Sequence, residues 1–243
     1  MKMLSRLLVF FCAWVAAAQM VSGATSGWVA DYNQLLAKYA TPSGVKYGAW
    51  KKNGADMQAL QGVVDAIATE KVSGSKKEQL AFYLNAYNAW ILHEALEKYP
   101  TSSVKDLLFT FFTSKRIKVA GQQTSFKAFE DDVIRAKFGE PRIHFALNCA
   151  SGSCPPLQRE AFEASKLEAQ LENLAKGYVN SERGVKLSAD GKTAQLSQIF
   201  EWYEGDFKNG GPVAFINQRR SKPIPKDAKI SYQKYDWSLN EAK

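Results

Sequence analysis

The residues best suited to chemistry crowd into one stretch, Arg142-Ile143-His144-Phe145-Ala146-Leu147-Asn148-Cys149-Ala150-Ser151-Gly152-Ser153-Cys154-Pro155-Pro156-Leu157. It carries one of the chain's two histidines and two of its three cysteines. Three chemistries fit these residue types. The first is a Cys149–Cys154 disulfide, whose small loop would add about 2 kcal/mol by chain entropy and stiffen the segment. The second is a thiol nucleophile. Pro155 suits the first position of a helix, which would set Cys154 at a helix N-terminus, where positive partial charge favours thiolate. The amides of Ser151, Gly152 and Ser153 would then face a developing oxyanion, and Arg142, Ser151, Gly152, Ser153, Asn85 and Asn88, with Asp206 and Asp236, would help hold substrate. His144, or His93 from elsewhere in the chain, would serve as base, with an Asn such as Asn148 or an Asp orienting it. Cys149 is the alternative nucleophile. The third chemistry is zinc held by His93, His144, Cys149 and Cys154, although Cys-x4-Cys only marginally meets the usual ligand spacing.

Signatures of other chemistries are missing. The chain has no Gly-x-Ser-x-Gly, no His-Glu-x-x-His despite His93-Glu94, and no dinucleotide glycine fingerprint. Gly191-Lys192-Thr193 lacks the preceding glycine of a phosphate loop. Nucleotide chemistry is disfavoured, and no metal or cofactor is expected.

The elements that must position these residues follow from periodicity. Trp28 to Ala40 and Asp56 to Ala68 read as helices, each ended by Gly- or Pro-containing breakers. Ser75 with Glu78 forms a capping box that opens a third helix running to Leu96 before Pro100. Its apolar residues spread around the circumference, so more than one face should be buried. Asn85, Asn88 and His93 lie on this central helix, over too wide an arc for one stripe, which suits the asparagines to bonding neighbouring loops. Further on, Val104 to Phe112, Phe126 to Phe138 and Ala161 to Val179 read as helices, and Ile117 to Ala120 as a strand turning at Gly121. Ile143, Phe145 and Leu147 alternate with polar or small residues, which predicts a strand. Asp190-Gly191 joins a hairpin of Val185 to Leu187 with Thr193 to Leu196. Helical turns at Ser197 to Glu204 and Pro212 to Asn217 and a strand near Ile230 close the chain. The reading is α+β, helix-rich, a single domain over 24–243 with a small sheet of short strands.

The N-terminus carries Lys2 and Arg6, the apolar run Leu7 to Ala18, and then small residues through Val21-Ser22-Gly23. This is the order of a cleaved secretory signal over residues 1–23, and the run of about 12 residues is short of the ~20 that span a bilayer. Cys12 follows Phe10-Phe11 rather than small residues, which argues against a lipoprotein. Export to a periplasmic or extracellular space is expected, with no membrane insertion afterwards. At 46% hydrophobic and 23% charged, the chain has the composition of a globular protein. Loss of Lys2 and Arg6 would lower the formal charge from +8 to +6. The positive residues are dispersed, and those at Arg219, Arg220, Lys222, Lys226 and Lys229 read as a solvated tail, so nucleic acid is not an expected partner. A small molecule, or an envelope or extracellular substrate, is the expected partner.

Four motifs occur in order: Ala81-Phe82-Tyr83-Leu84-Asn85-Ala86-Tyr87-Asn88-Ala89, Arg142 to Leu157, Ser197 to Phe207 including Trp202, Tyr203 and Asp206, and Tyr235-Asp236-Trp237-Ser238-Leu239-Asn240. Together, from about Glu78 to Asn240, they resemble domain-of-unknown-function family 547, whose similar members are often exported bacterial proteins. The resemblance implies no established activity. Transferred position by position, it points at His93, His144, Cys149, Cys154, Asp206 and Asp236. Asp131 stands where many relatives have a histidine, so a mechanism needing that third imidazole is not expected here. The reading is a thiol-dependent hydrolase or acyl transferase built on a Cys/His pair, against a non-catalytic binding or accessory module with a structural Cys149–Cys154 disulfide.

Overall fold

The computed structural model describes residues 27–104 and 108–242; the leader read at residues 1–23 lies outside them. The architecture is α+β. It begins with α1 (Gly27–Tyr39), the small hairpin β1 (Ala40–Thr41) and β2 (Gly44–Val45), α2 (Tyr47–Lys51), α3 (Gly54–Thr69) and the long α4 (Lys76–Glu97). A short α5 (Leu108–Phe111) leads to the hairpin β3 (Ile117–Val119) and β4 (Gln122–Thr124), turned at Gly121 with φ +80°. Next, α6 (Phe126–Ala128), a π-helical stretch Phe129–Arg135 and α7 (Ala136–Phe138) run on as one rod that stops at left-handed Gly139. The remainder comprises a 3-10 helix Pro141–Phe145, α8 (Leu167–Asn180), β5 (Val185–Leu187), β6 (Thr193–Leu196), α9 (Ile199–Trp202), a 3-10 turn Glu204–Asp206, α10 (Gly211–Asn217) and β7 (Lys229–Tyr232). β6 is central, antiparallel to β5 and parallel to β7, with Ala194 opposite both Leu187 and Ile230. Among the described residues, no helix is long and apolar enough to cross a membrane.

α4 organises the first core. Both halves of its capping box are made, with Ser75 Oγ accepting from the Glu78 amide at 3.3 Å and the Glu78 carboxylate accepting from the Ser75 amide at 2.7 Å. Every residue from Leu84 to Leu92 is buried, so the helix is covered on all sides. Leu60, Val63 and Ile67 of α3 and Phe126 and Phe129 of the π-containing rod belong to the same cluster. A second cluster has an aromatic centre around Phe145, whose ring lies 5.3–6.2 Å from those of Tyr178, Phe200, Phe207 and Phe215. Leu174 and Trp237 pack against both clusters.

The expected strand at 143–147 is instead the 3-10 helix Pro141–Phe145. At three residues per turn, successive side chains point about 120° apart. Ile143 therefore enters the first core, Phe145 enters the second, and His144 between them faces a cleft. An alternation over so few residues fits either geometry, and Pro141 at the first helical turn, behind Glu140 whose carboxylate caps the Arg142 amide, favours the helical one.

The expected helix over 161–179 begins only at Leu167. The Ala161 amide donates to Asn33, and Phe162 is gripped through both backbone groups by the Asn85 amide, so this segment spends its hydrogen bonds on α1 and α4. The basic tail is only partly solvated: Arg219 pairs with Glu172 at 3.1 Å, and Arg220 donates to the Val179 carbonyl.

The chain ends as a strap. The Gly152 amide donates to the Ser238 carbonyl at 2.8 Å, the Ser153 amide to Asp236 at 3.1 Å, and the Asn240 amide to Ala150 at 3.0 Å. Further bonds tie it to Val45 and Val104. The strap thereby joins the start of the chain to the cysteine loop. Phe145→Ala, which empties the centre of the aromatic cluster, is expected to cost about 3–5 kcal/mol of stability, read from the chemical-denaturation midpoint at constant m-value.

Candidate functional site

A cleft of about 450 Å³, within the range of small-molecule sites, opens where the cysteine loop, the π-helical stretch, α9 and the strap meet. Cys149, Cys154 and His144 all line it. The two sulfurs lie at disulfide-pairing distance with Cα atoms 6.1 Å apart, and the Cys149 amide donates to Cys154 Sγ at 2.9 Å. Cys149 is half-buried, whereas Cys154 is only 4% exposed. Cys149 Sγ also meets Ser151 Oγ at 3.0 Å and the Tyr235 hydroxyl at 3.4 Å. Between the cysteines the backbone passes through the left-handed region at Ala150, φ +61°, a conformation unusual for a residue with a Cβ.

His144 is held on two sides. Its Nε2 donates to Asp206 Oδ2 at 2.7 Å, and its ring stacks on Tyr203 with centroids 3.9 Å apart. Asp206 also receives Arg135 Nε at 2.7 Å, and Arg135 in turn bonds Asp131, which pairs with Lys127. The His144 hydrogen bond, reinforced by Arg135 against a partial desolvation cost, holds the Asp206 carboxyl well below the usual carboxylate range. An ionised Asp206 accepts, so in neutral His144 the proton sits on Nε2 and the lone pair on Nδ1. Among the described residues Nδ1 has no hydrogen-bond partner. Burial holds the Tyr203 and Tyr235 phenols protonated, and for Tyr203 the neighbouring Glu130 adds to the effect.

The other sequence-derived candidates sit as follows. His93 is not in the cleft; its Nε2 bonds Gln61 at 2.8 Å and its ring meets the edge of Trp90. The four zinc ligands considered from sequence are therefore not brought together, and the described residues contain no group of three or more His, Cys, Asp or Glu placed to hold a metal. No helix follows Cys154, because residues 155–158 are irregular and the next helix is α8. The helix-terminus account of a Cys154 thiolate is overturned. The amides of Gly152 and Ser153 are spent on the strap, so they form no oxyanion hole.

Asn148 orients the loop rather than the imidazole. Its side chain donates to Pro155 and accepts from the Ala150 amide, while its own amide donates to Asn88. Asn88 also donates to the Ala146 carbonyl. Arg142 is committed to Glu140, Glu168 and Glu172, away from the cleft. Ser151 is fully buried and donates to the Tyr235 hydroxyl. A Cβ at Gly152 would stand 2.5 Å from Asp236 Oδ2, so a larger residue there would displace the exposed Asp236 carboxylate that caps Ser238. Asp236 caps the Ser238 amide, which lowers its pKa, and its own amide donates to Ser153 Oγ.

Of the sequence candidates, the structure thus gathers His144, Asp206, Cys149 and Cys154. Sequence reasoning missed Arg135, Tyr203, Glu130 and Tyr87. Glu130 accepts from the Tyr87 hydroxyl at 3.1 Å. The available signal was the spacing of Asp131 and Arg135 on a rod that faces the motif containing Tyr203 and Asp206.

The fold and cleft define an α+β protein with a paired-cysteine and histidine–aspartate site. Residues 72–179 match the model of the family described as "Protein of unknown function, DUF547". The match takes in α4, His144 and both cysteines; Tyr203, Asp206 and the strap lie beyond it. No curated protein matches the chain, and no solved structure does.

The depressed Asp206 pKa has a pH consequence. Its pairing contributes stability at and above the unfolded carboxylate value of about 3.9 and is lost as pH falls through the lower folded value. Asp206→Asn is therefore expected to flatten the acid limb of the stability–pH curve, seen as a smaller loss than wild type between neutral pH and pH 2 in denaturant titrations.

Proposed function

We propose that this chain is an exported thiol-dependent acyl hydrolase or acyl transferase whose nucleophile is Cys149. The observation that carries the reading is that the Cys149 sulfur and the Asp206-oriented imidazole of His144 line one solvent-reached cleft. Cys149 is preferred to Cys154 because it is the less buried, and because the Tyr235 hydroxyl, which accepts from Ser151, lies where it can donate to a thiolate. Once two equivalents of an external thiol have reduced the Cys149–Cys154 bond, leaving as their own disulfide, His144 Nδ1 takes the Cys149 proton. The thiolate then attacks an acyl carbon, and the leaving group departs with the proton returned by His144. Water or a second acceptor completes the transfer. The basic, apolar and small-residue order of residues 1–23 supports export, and an oxidising compartment suits a resting Cys149–Cys154 disulfide.

A second reading is a non-catalytic binding module in which the cross-link only stiffens the loop. It is favoured by the disulfide-pairing distance of the sulfurs and by the strap bonded along that loop.

Thiol titration and an acylating probe separate the two. The oxidised mature protein should show no reactive thiol and the gently reduced, folded protein two. After reduction an activated thioester should acylate Cys149, and His144→Ala should slow this by about 10²-fold or more. If Cys149 in the reduced protein reacts no faster than an unactivated thiol, or His144→Ala leaves the rate unchanged, the catalytic reading fails and the binding module stands.

A further inference from the structure

From the aromatic wall of the same cleft we infer a saccharide subsite, in which Trp202 and Trp237 receive the apolar face of an uncharged sugar ring. This goes beyond the acyl-transfer reading and stands whether or not Cys149 is a nucleophile. Among the described residues Trp202 is the most exposed large hydrophobic side chain, at 45%. It is nonetheless built in: its ring lies 5.7 Å from that of Trp237 at 24°, and 4.8 Å from Tyr235, which is itself 4.4 Å from Trp237. All three rings line the cleft. The mouth therefore carries a pre-formed aromatic shelf, and leaving so much indole in water is unfavourable unless something apolar covers it.

The groups that share the cleft decide what that something is. Glu130 already accepts from Tyr87, Asp131 is paired with Lys127 and Arg135, and Asp206 with Arg135 and His144. Each cation has its carboxylate, so the cleft offers no unmatched positive charge for a phosphate or uronate, while Glu130, bonded only to neutral phenols, keeps acceptor capacity for a ligand hydroxyl. What it offers is a mixture of donors and acceptors beside a flat apolar surface. A pyranose has that duality, with C–H bonds on its face and hydroxyls around its edge.

The test uses the full mature chain carrying Cys149→Ser, so that no acyl chemistry contributes, and reads binding by tryptophan fluorescence and calorimetry. The probes are neutral oligosaccharides of glucose, galactose and N-acetylglucosamine, with a uronate oligomer and a Lys-rich peptide alongside. At least one neutral oligosaccharide should saturate the protein. Trp202→Ala should weaken it tenfold or more with the melting temperature unchanged, and Trp202→Phe should retain most of the affinity. Saturation by the uronate or the peptide alone, no saturation by any neutral oligosaccharide, or equal affinity in folded Trp202→Ala would each overturn the subsite. None of these outcomes bears on the reactivity of Cys149, which is measured separately.

Discussion

An irregular loop buried in a protein must find partners for backbone groups that no helix or sheet supplies. Residues 146–157 are such a loop: Ala146, Leu147, Asn148, Ala150, Ser151, Cys154 and Leu157 are all buried. The rest of the molecule is arranged to meet that demand. α4 contributes Asn88, which serves Ala146 and Asn148 at once, and Asn148 closes on Ala150 and Pro155. The strap serves Ala150, Gly152 and Ser153. Asn85 does the same for Phe162 one segment later. An unmet buried amide costs on the order of 1–3 kcal/mol, so these few side chains decide whether the cysteines are presented to the cleft at all.

The histidine is governed by a different economy of position. A 3-10 turn holds His144 between two residues anchored in separate cores, and Tyr203 and Asp206 arrive from about 60 residues further on. The π-helical stretch brings Glu130, Asp131 and Arg135 to the same wall, with Arg135 Cζ 4.9 Å from the centre of the Tyr203 ring. Tyr203 therefore touches the imidazole and lies beside the guanidinium, both of which bind Asp206. π-helical turns are frequent at functional sites, and here the stretch places three charged residues on the cleft beside Lys127 of α6.

Much of the scaffold was legible from local signals. The capping box at Ser75, the all-round burial of α4 and the hairpin at Asp190-Gly191 each rest on a few neighbouring residues, and each is present. The α+β class followed from them. The 143–147 strand failed because three residues per turn and two per repeat cannot be told apart over five positions. The 161–166 extension of α8 failed because its competing hydrogen bonds come from Asn33 and Asn85, far away in sequence. The candidate site was legible only as a list of polar residues. Which of them do chemistry and which hold backbone depends on long-range pairings. Asn148 and Gly152 look reactive by company and prove to be scaffolding, while Tyr203, an aromatic within a motif, had no visible reason to sit on His144.

The dependence of the cysteine loop on the last residues of the chain also bears on where this protein can be cut. The segment matched by the family model stops at residue 179, short of Trp202, Tyr203, Tyr235 and Trp237 in the cleft wall. A fragment trimmed to that boundary would keep both sulfurs and the imidazole yet lose the carboxylate, the stacking phenol and the strap that arrange them. The smallest piece that keeps the cleft whole is thus larger than the matched segment.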